Sequence, residues 1–202
     1  MKNLNSIGVL FVSLILIISL NFYHFSESLE LKCIISDVDG KKYCVRDRQK
    51  LKESADMLAR TTGNCRQLIG HLVEKYGDDD DRVYKLRTRF KAEKVYEILP
   101  TSKFTAYSEN KGEKLAFCLN TTKKGEERID NNTLQFVALH ELAHIATLSV
   151  GHTEEFWRNF QFLLKEAEQI GIYQVVNYKD NPVEYCGMTI NSSPYFRKNK
   201  TS

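Results

Sequence analysis

Two histidines and a glutamate stand in a stretch of the chain that is otherwise almost entirely apolar. The stretch runs from Leu134 to Val150 as LQFVALHELAHIATLSV, and it contains no lysine or arginine. On a helix, apolar side chains would cover all the remaining surface, so we expect a helix that is buried nearly all round. Because burying an unpaired carboxylate costs on the order of several kcal/mol, the fold must offset the cost of placing Glu141 there.

The spacing of His140 and His144 fits a metal clamp. They are four residues apart, so on a helix they lie on one face and can bind a single ion with their imidazoles. Glu141 lies about 100° round the helix from His140, near enough to hold a water on the metal without being a ligand. The alternative is a pair of core histidines with satisfied hydrogen bonds, which leaves the glutamate without a partner.

A third ligand is expected in the segment that follows. A catalytic zinc site usually takes three protein ligands and leaves one position for water. His152 comes directly after Gly151, which permits the sharp turn that would bring the chain back under the metal. We therefore predict one Zn²⁺ per chain, with His140, His144 and His152 as ligands and Glu141 as the catalytic general base.

This set of residues indicates hydrolysis of a peptide bond. Zinc would polarise the carbonyl and lower the pKa of water, while the glutamate takes the proton and passes it to the leaving amine. The predicted function is a zinc-dependent peptidase with a protein or peptide substrate. One alternative is a membrane-anchored structural or assembly protein whose zinc only holds the fold. A fourth protein ligand, such as Cys186 or a carboxylate, would favour that alternative.

The same residues resemble a known family. HELAH followed by GH and an aromatic FW pair looks like the WLM family of zinc metalloproteases, relatives of the SprT or spartan type. ENKGEKLAFCLN is similar to the strand ahead of that family's HExxH, and DGKKYC, AYSENKGEK and EYCGM resemble membrane-anchored members encoded by large DNA viruses. The resemblance implies a zincin-like fold, with His140, His144 and His152 as zinc ligands and Glu141 as general base.

The N-terminus contains a second apolar segment. It is uncharged from Ile7 to Leu20, and the residues from Asn21 to Phe25 bring it to about the length that spans a bilayer. We expect residues 1–26 to be a single-pass signal anchor in the membrane and residues 27–202 to form one domain. Ser26-Glu27-Ser28 has the form of a cleavage site, and cleavage there would give a secreted protein.

Four further helices are predicted after the N-terminal segment. Apolar residues recur in alternating steps of four and three from Leu51 to Tyr76, which indicates one long helix. The acidic run from Asp78 to Asp81 can open a short second helix. Asp130 is an N-cap candidate for a helix that starts near Thr133, and Thr153 can cap a last long helix.

Short strands complete an α+β domain with a small antiparallel sheet. LKCIISDVDGKKYCVR has the pattern of a hairpin that turns at Asp39-Gly40. FTAYSENKGEKLAFCLNT predicts a second hairpin, with its turn at Asn110 to Gly112. A strand from Tyr173 to Val176 and an irregular EYCGM segment are expected near the C-terminus.

Charge and cysteine content restrict the remaining possibilities only weakly. The net charge of +3 is too mild to argue for nucleic acid, and we expect the basic run from Lys85 to Lys94 to be a solvated helix face. A protease that uses this run on nucleic acid is a third hypothesis, since the WLM resemblance implies an association with proteins crosslinked to DNA.

In the first hairpin Cys44 would face Ile35 rather than Cys33, which argues against a disulfide. The odd count of 5 cysteines leaves at least one thiol free.

Overall fold

The computed structural model of the chain describes residues 2–27 and 31–197, with side chains for residues 8–21 and 31–197. Its helices are α1 (Lys2–Glu27), α2 (Leu51–Tyr76), α3 (Asp81–Arg89), α4 (Asn131–Ala146) and α5 (Glu154–Gln169), followed by a 3-10 turn at Pro194–Phe196. Its strands are β1 (Leu31–Ile35), β2 (Lys42–Arg46), β3 (Val95–Glu97), β4 (Ala106–Glu109), β5 (Lys114–Phe117), β6 (Val183–Tyr185) and β7 (Met188–Ile190). The predicted α+β class is confirmed.

The main sheet is mixed, so the prediction of an antiparallel sheet is wrong. Its strand order is β1-β2-β3-β5-β4, and β6 and β7 form a separate pair. The outer pairs β1/β2 and β4/β5 are antiparallel, but β3 runs parallel to both β2 and β5. Parallel neighbours need a crossover connection, which α2 and α3 supply between β2 and β3. Strand β3 is only three residues long, and its pattern gave no strand prediction.

The first hairpin forms, but its register differs from the predicted one. The structure pairs Ile35 with Lys42 and Cys33 with Cys44, and a disulfide joins the two cysteines. The turn is longer than two residues, and the Ser36 hydroxyl at its start donates to the Asp56 carboxylate of α2 at 2.5 Å. A contact with another element, which is not visible in the hairpin sequence, therefore adds to the local hydrogen bonds that hold the observed turn.

The predicted helices after the first hairpin are confirmed. The Asp80 carboxylate accepts from the Arg82 backbone N–H at 2.9 Å and caps α3. The Asp130 carboxylate accepts from the Thr133 N–H at 2.8 Å and caps α4. Thr153 caps α5 through the Phe156 N–H. Helix α4 packs against α2, α3, α5, β4 and β5, which places it in the centre of the core.

The C-terminal part differs from the prediction at two positions. The predicted strand over Tyr173–Val176 is wrong, because the Asn132 side chain donates to the Gln174 carbonyl at 2.9 Å and accepts from its N–H at 2.8 Å. These bonds occupy the backbone groups that a neighbouring strand would use. The predicted irregular EYCGM segment instead forms the β6/β7 hairpin, whose turn has positive φ at Cys186 (54°) and Gly187 (81°).

The β6/β7 hairpin is attached firmly to the end of β5. The backbone N–H groups of Cys186 and Gly187 donate to the carbonyls of Asn120 and Thr121 at 2.9 and 2.7 Å. A disulfide also joins Cys186 to Cys118. The free cysteine expected from the odd count is Cys65, which is buried on α2.

The predicted single-pass membrane anchor is wrong. Within residues 2–27 and 31–197, no helix has both the length and the apolar character that crossing a membrane requires. Ser28 of the predicted cleavage motif lies outside the described residues.

A buried ion-pair network ties β2 to β3. The Glu97 side chain is 0% exposed and accepts from the guanidinium groups of Arg46 at 2.7 Å and Arg48 at 2.5 Å. It also accepts from the Arg46 backbone N–H at 2.9 Å. Both guanidinium groups lose their carboxylate partner if this side chain is removed.

We expect Glu97→Ala to lower the free energy of unfolding by about 3–5 kcal/mol, because it leaves buried guanidinium groups uncompensated. Urea denaturation measures this change. The matched control is Glu154→Gln, which breaks an exposed pair with Arg197 and should cost at most about 1 kcal/mol. Equal small losses in both variants would show that the network contributes little to stability.

Candidate metal centre

The site is built from helix α4 and from the loop that follows it. His140, Glu141 and His144 lie in the last two turns of α4, which ends at Ala146. The chain then reverses direction through Gly151, whose φ of 83° suits glycine, and brings His152 back towards α4. The structure thus places all three predicted ligands together, and their role as ligands stays a prediction.

The three imidazoles converge on one point. Each offers a ring nitrogen, and these nitrogens all lie within 4.8 Å of one another. The Nε2 atoms of His140 and His152 are 3.0 Å apart. The ring centroid of His144 lies 4.9 Å from that of His140 and 5.0 Å from that of His152. Three imidazole nitrogens at such separations fit the donor set of a zinc ion. The group formed by His140, His144 and His152 could therefore hold a metal ion.

Burial keeps the two helical imidazoles neutral. Loss of solvent contact, reinforced by the neighbouring histidines, lowers the pKa of His140 to about 3. The pKa of His144 falls to about 4, again mainly through burial. A neutral imidazole is the form that binds a metal, so the environment favours the ligating state of both side chains.

Phe156 supports all three histidines from α5. Its ring centroid lies 4.9, 4.3 and 4.7 Å from the centroids of His140, His144 and His152, and its side chain is fully buried. Trp157 stacks on His152 at 5.6 Å. Phe156 also belongs to the buried apolar face of α5, and sequence reasoning gave it no role at the site. The aromatic FW pair that follows the third histidine was the available signal for this second role.

Glu141 lies beside the cluster with little solvent contact. Its side chain is buried, and none of the ion pairs formed by the described residues includes it. Burial raises the pKa of Glu141 to about 8, although a backbone hydrogen bond from Ser108 on β4 opposes the shift. The expectation of a buried carboxylate on α4 is met, while its role as general base stays a prediction.

A cleft of about 740 Å³ opens over these residues. Strand β4 and the residues just before it line the cleft together with the β6/β7 hairpin, whose Tyr185 and Met188 side chains contact Thr105. Phe104, Val150 and Met188 line the cleft with side chains that are largely exposed to solvent. Apolar side chains make up most of the remaining surface, and the polar groups are the histidines, Glu141, Lys111 and several hydroxyl and amide side chains. The site is therefore accessible to a ligand as large as a short peptide.

The structure bears on two of the alternatives. Cys186 is bonded to Cys118 and cannot serve as a fourth thiolate ligand.

The basic run is less free to bind nucleic acid than its sequence indicates. Lys85 is buried and paired with Asp81, and Arg87 and Lys94 pair with Asp78 and Glu113. The prediction of a solvated helix face is therefore wrong for Lys85, whose aliphatic stem packs into the fold, and Lys91 and Lys94 lie beyond the end of α3.

Comparisons with known proteins identify relatives of the chain. A sequence profile described as the WLM domain matches residues 82–200. An uncharacterized protein of Acanthamoeba polyphaga mimivirus is 32% identical over 181 residues, which are 88% of this chain and 91% of that protein. An uncharacterized protein of Invertebrate iridescent virus 6 is 40% identical over 57 residues, 28% of this chain and 32% of that protein. No solved structure matches significantly.

We expect the metal-free protein to bind one zinc per chain and to become more stable on doing so. At a zinc concentration 1,000 times the Kd, linkage predicts a gain of about 4 kcal/mol. His140→Ala and His144→Ala should abolish both the binding and the gain, because each removes a ligand held by the helix. Metal analysis and thermal unfolding with and without zinc measure these effects.

The control for this experiment is His71→Gln. His71 lies on α2, where its Nε2 is 2.9 Å from the Glu166 carboxylate, and it takes no part in the cluster. This variant should still bind one zinc. Zinc bound by both the His140→Ala and His144→Ala variants would place the metal elsewhere.

Proposed function

The chain belongs to the WLM domain family, and from this premise we propose that it is a zinc-dependent peptidase with a zincin-like active site. The family is one of zinc metallopeptidases, which supports peptidase activity. The observation that carries the proposal is the convergence of His140, His144 and His152 beside the buried carboxylate of Glu141 in an open cleft.

In this proposal the three histidines hold the metal and Glu141 moves the proton. When bound, zinc supplies a Lewis acid that polarises the substrate carbonyl and lowers the pKa of water. Glu141 accepts a proton from the attacking water as the C–O bond forms. It then donates that proton to the amide nitrogen as the C–N bond breaks, so that one water and one peptide bond give a carboxylic acid and an amine.

The cleft offers a binding surface for an extended peptide. Strand β4 ends the described sheet, bonded to β5 on one side, and residues 104–108 line the cleft. An extended segment can pair with such an edge through its backbone, while side-chain pockets give the specificity. The solvent-exposed apolar side chains of Phe104, Val150 and Met188 favour a substrate with large apolar side chains near the scissile bond.

Glu141→Gln should retain zinc and lose turnover. The amide keeps the size of the side chain but cannot accept the proton, and loss of a general base typically lowers kcat by about 10²–10⁴. Cleavage of an unfolded protein substrate, with metal content determined on the same sample, tests this expectation. Glu154→Gln, an exposed glutamate on α5, is the control and should remain active. Full activity in Glu141→Gln would disprove the mechanism.

Substrate preference is tested separately with a mixture of peptides of diverse sequence. We expect the wild-type protein to cleave preferentially next to large apolar residues, and Met188→Ser with Phe104→Ser to weaken that preference. Mass spectrometry of the products locates each cleavage site, and Glu141→Gln identifies cleavage by contaminants. A preference for charged residues that the double variant leaves unchanged would rule out the proposed apolar contacts.

A further inference from the structure

We propose that Lys111 and Glu155 are positioning residues that fix the loop carrying His152 and thereby raise the affinity of the site for zinc. The inference rests on the proposed function, since it concerns how the third ligand of that same site is held. The segment from Thr147 to Thr153 is called the His152 loop below.

Lys111 reaches the His152 loop from the turn between β4 and β5. Its ammonium donates to the carbonyl oxygens of Thr147 at 2.7 Å, Leu148 at 2.5 Å and Ser149 at 3.2 Å. These carbonyls follow the C-terminus of α4, where the backbone has lost its helical donors and the helix dipole favours a cation. One side chain thus satisfies three successive acceptors in the loop.

Glu155 holds the donors of the same loop. Its carboxylate accepts from the backbone N–H groups of Leu148 at 2.9 Å and Ser149 at 3.2 Å, and from the Ser149 hydroxyl at 2.7 Å. Hydrogen bonds to a charged acceptor are among the stronger ones in proteins. Lys111 and Glu155 therefore bind complementary backbone groups of the loop, one from the sheet and the other from α5.

Apolar packing does little to hold the middle of the loop. Leu148 is 69% exposed and Val150 is 87% exposed, although each could have contributed to a core. At one end of the loop, the Asn159 side-chain amide donates to the Thr147 hydroxyl at 2.9 Å. At the other end, Thr153 is held as the N-cap of α5. Between these anchors Lys111 and Glu155 hold the backbone at Leu148 and Ser149, and a 2.7 Å hydrogen bond between the Ser149 and Thr153 hydroxyls adds to their contacts.

The turn that presents Lys111 adopts an unusual backbone conformation. Asn110 and Lys111 have positive φ of 46° and 53°, a region that residues with a side chain seldom occupy. Gly112 packs so closely that an added Cβ would lie 2.8 Å from the Arg89 carbonyl and 3.0 Å from Ile145 on α4. The close packing pins the turn to α3 and α4, so the backbone that presents Lys111 has little freedom to move.

These contacts matter for zinc because the three ligands are held so differently. His140 and His144 are fixed by a buried helix, whereas His152 is exposed on the loop. If the loop were free to move, binding a metal would have to order it first. The conformational entropy lost in that ordering would weaken the affinity for the metal. Removing a residue that orients a ligand typically weakens metal binding by about 10–100-fold.

The test measures zinc affinity by competition with a chelator in the full chain. Glu155→Gln and Lys111→Met should each weaken zinc binding about 10–100-fold, and Lys111→Arg should restore part of the loss. The matched controls, Glu154→Gln and Lys91→Met, remove exposed charges nearby and should bind zinc like the wild type. The Tm of each metal-free variant shows whether the fold itself has been weakened.

A double-mutant cycle separates a positioning role from general stabilisation. If Glu155 acts through His152, Glu155→Gln should cost no further zinc affinity once His152→Ala is present. Additive losses, or single variants within about twofold of the wild type, would overturn the inference while leaving the metal site intact. A wild-type protein that binds no zinc would instead refute the proposed function on which the inference rests.

Discussion

Helix α4 carries its polar groups into the most crowded part of the molecule. Three helices and two strands pack against it, and Glu141 is 5% exposed. A carboxylate in that position is costly unless a cation or a set of hydrogen bonds compensates for it. The arrangement around α4 supplies converging imidazoles instead of a fixed counter-ion. A bound metal would provide the positive charge that the described protein side chains do not.

The parts of the candidate site come from separate elements, each attached to α4 in its own way. Helix α5 places Phe156 under the three imidazoles, and β4 brings Ser108 to Glu141. The β6/β7 hairpin reaches the cleft because backbone hydrogen bonds and the Cys118–Cys186 disulfide attach it to the end of β5. The cleft is therefore lined by segments far apart in sequence that the core holds in fixed relation.

Local patterns in the sequence were sufficient to predict the helices and two of the proposed ligands. Capping residues such as Asp80 and Asp130 act on backbone groups a few residues away, so their effect can be read from the sequence. The spacing of His140 and His144 needs only the geometry of one helix. The position of His152 additionally depended on a turn at Gly151, which sequence reasoning could anticipate because glycine permits it.

Features that depend on distant contacts could not be predicted in the same way. The turn of the first hairpin is bonded to Asp56 from α2, and the expected strand at Gln174 is replaced by bonds to Asn132. Lys111 and Glu155 contact the His152 loop from different elements, and the sequence around either residue contains no motif for that role. The membrane anchor was predicted from hydropathy alone, and the helices of the described residues do not support it.

X-ray absorption at the zinc edge can show whether three histidines bind a single zinc and leave a position open for water. We expect three imidazole nitrogens and at least one oxygen bound to the zinc, all at about 2.0–2.2 Å, with no sulfur. In His152→Ala one of these imidazoles should be lost. A sulfur ligand at about 2.3 Å, or four protein ligands that leave no oxygen, would contradict this arrangement.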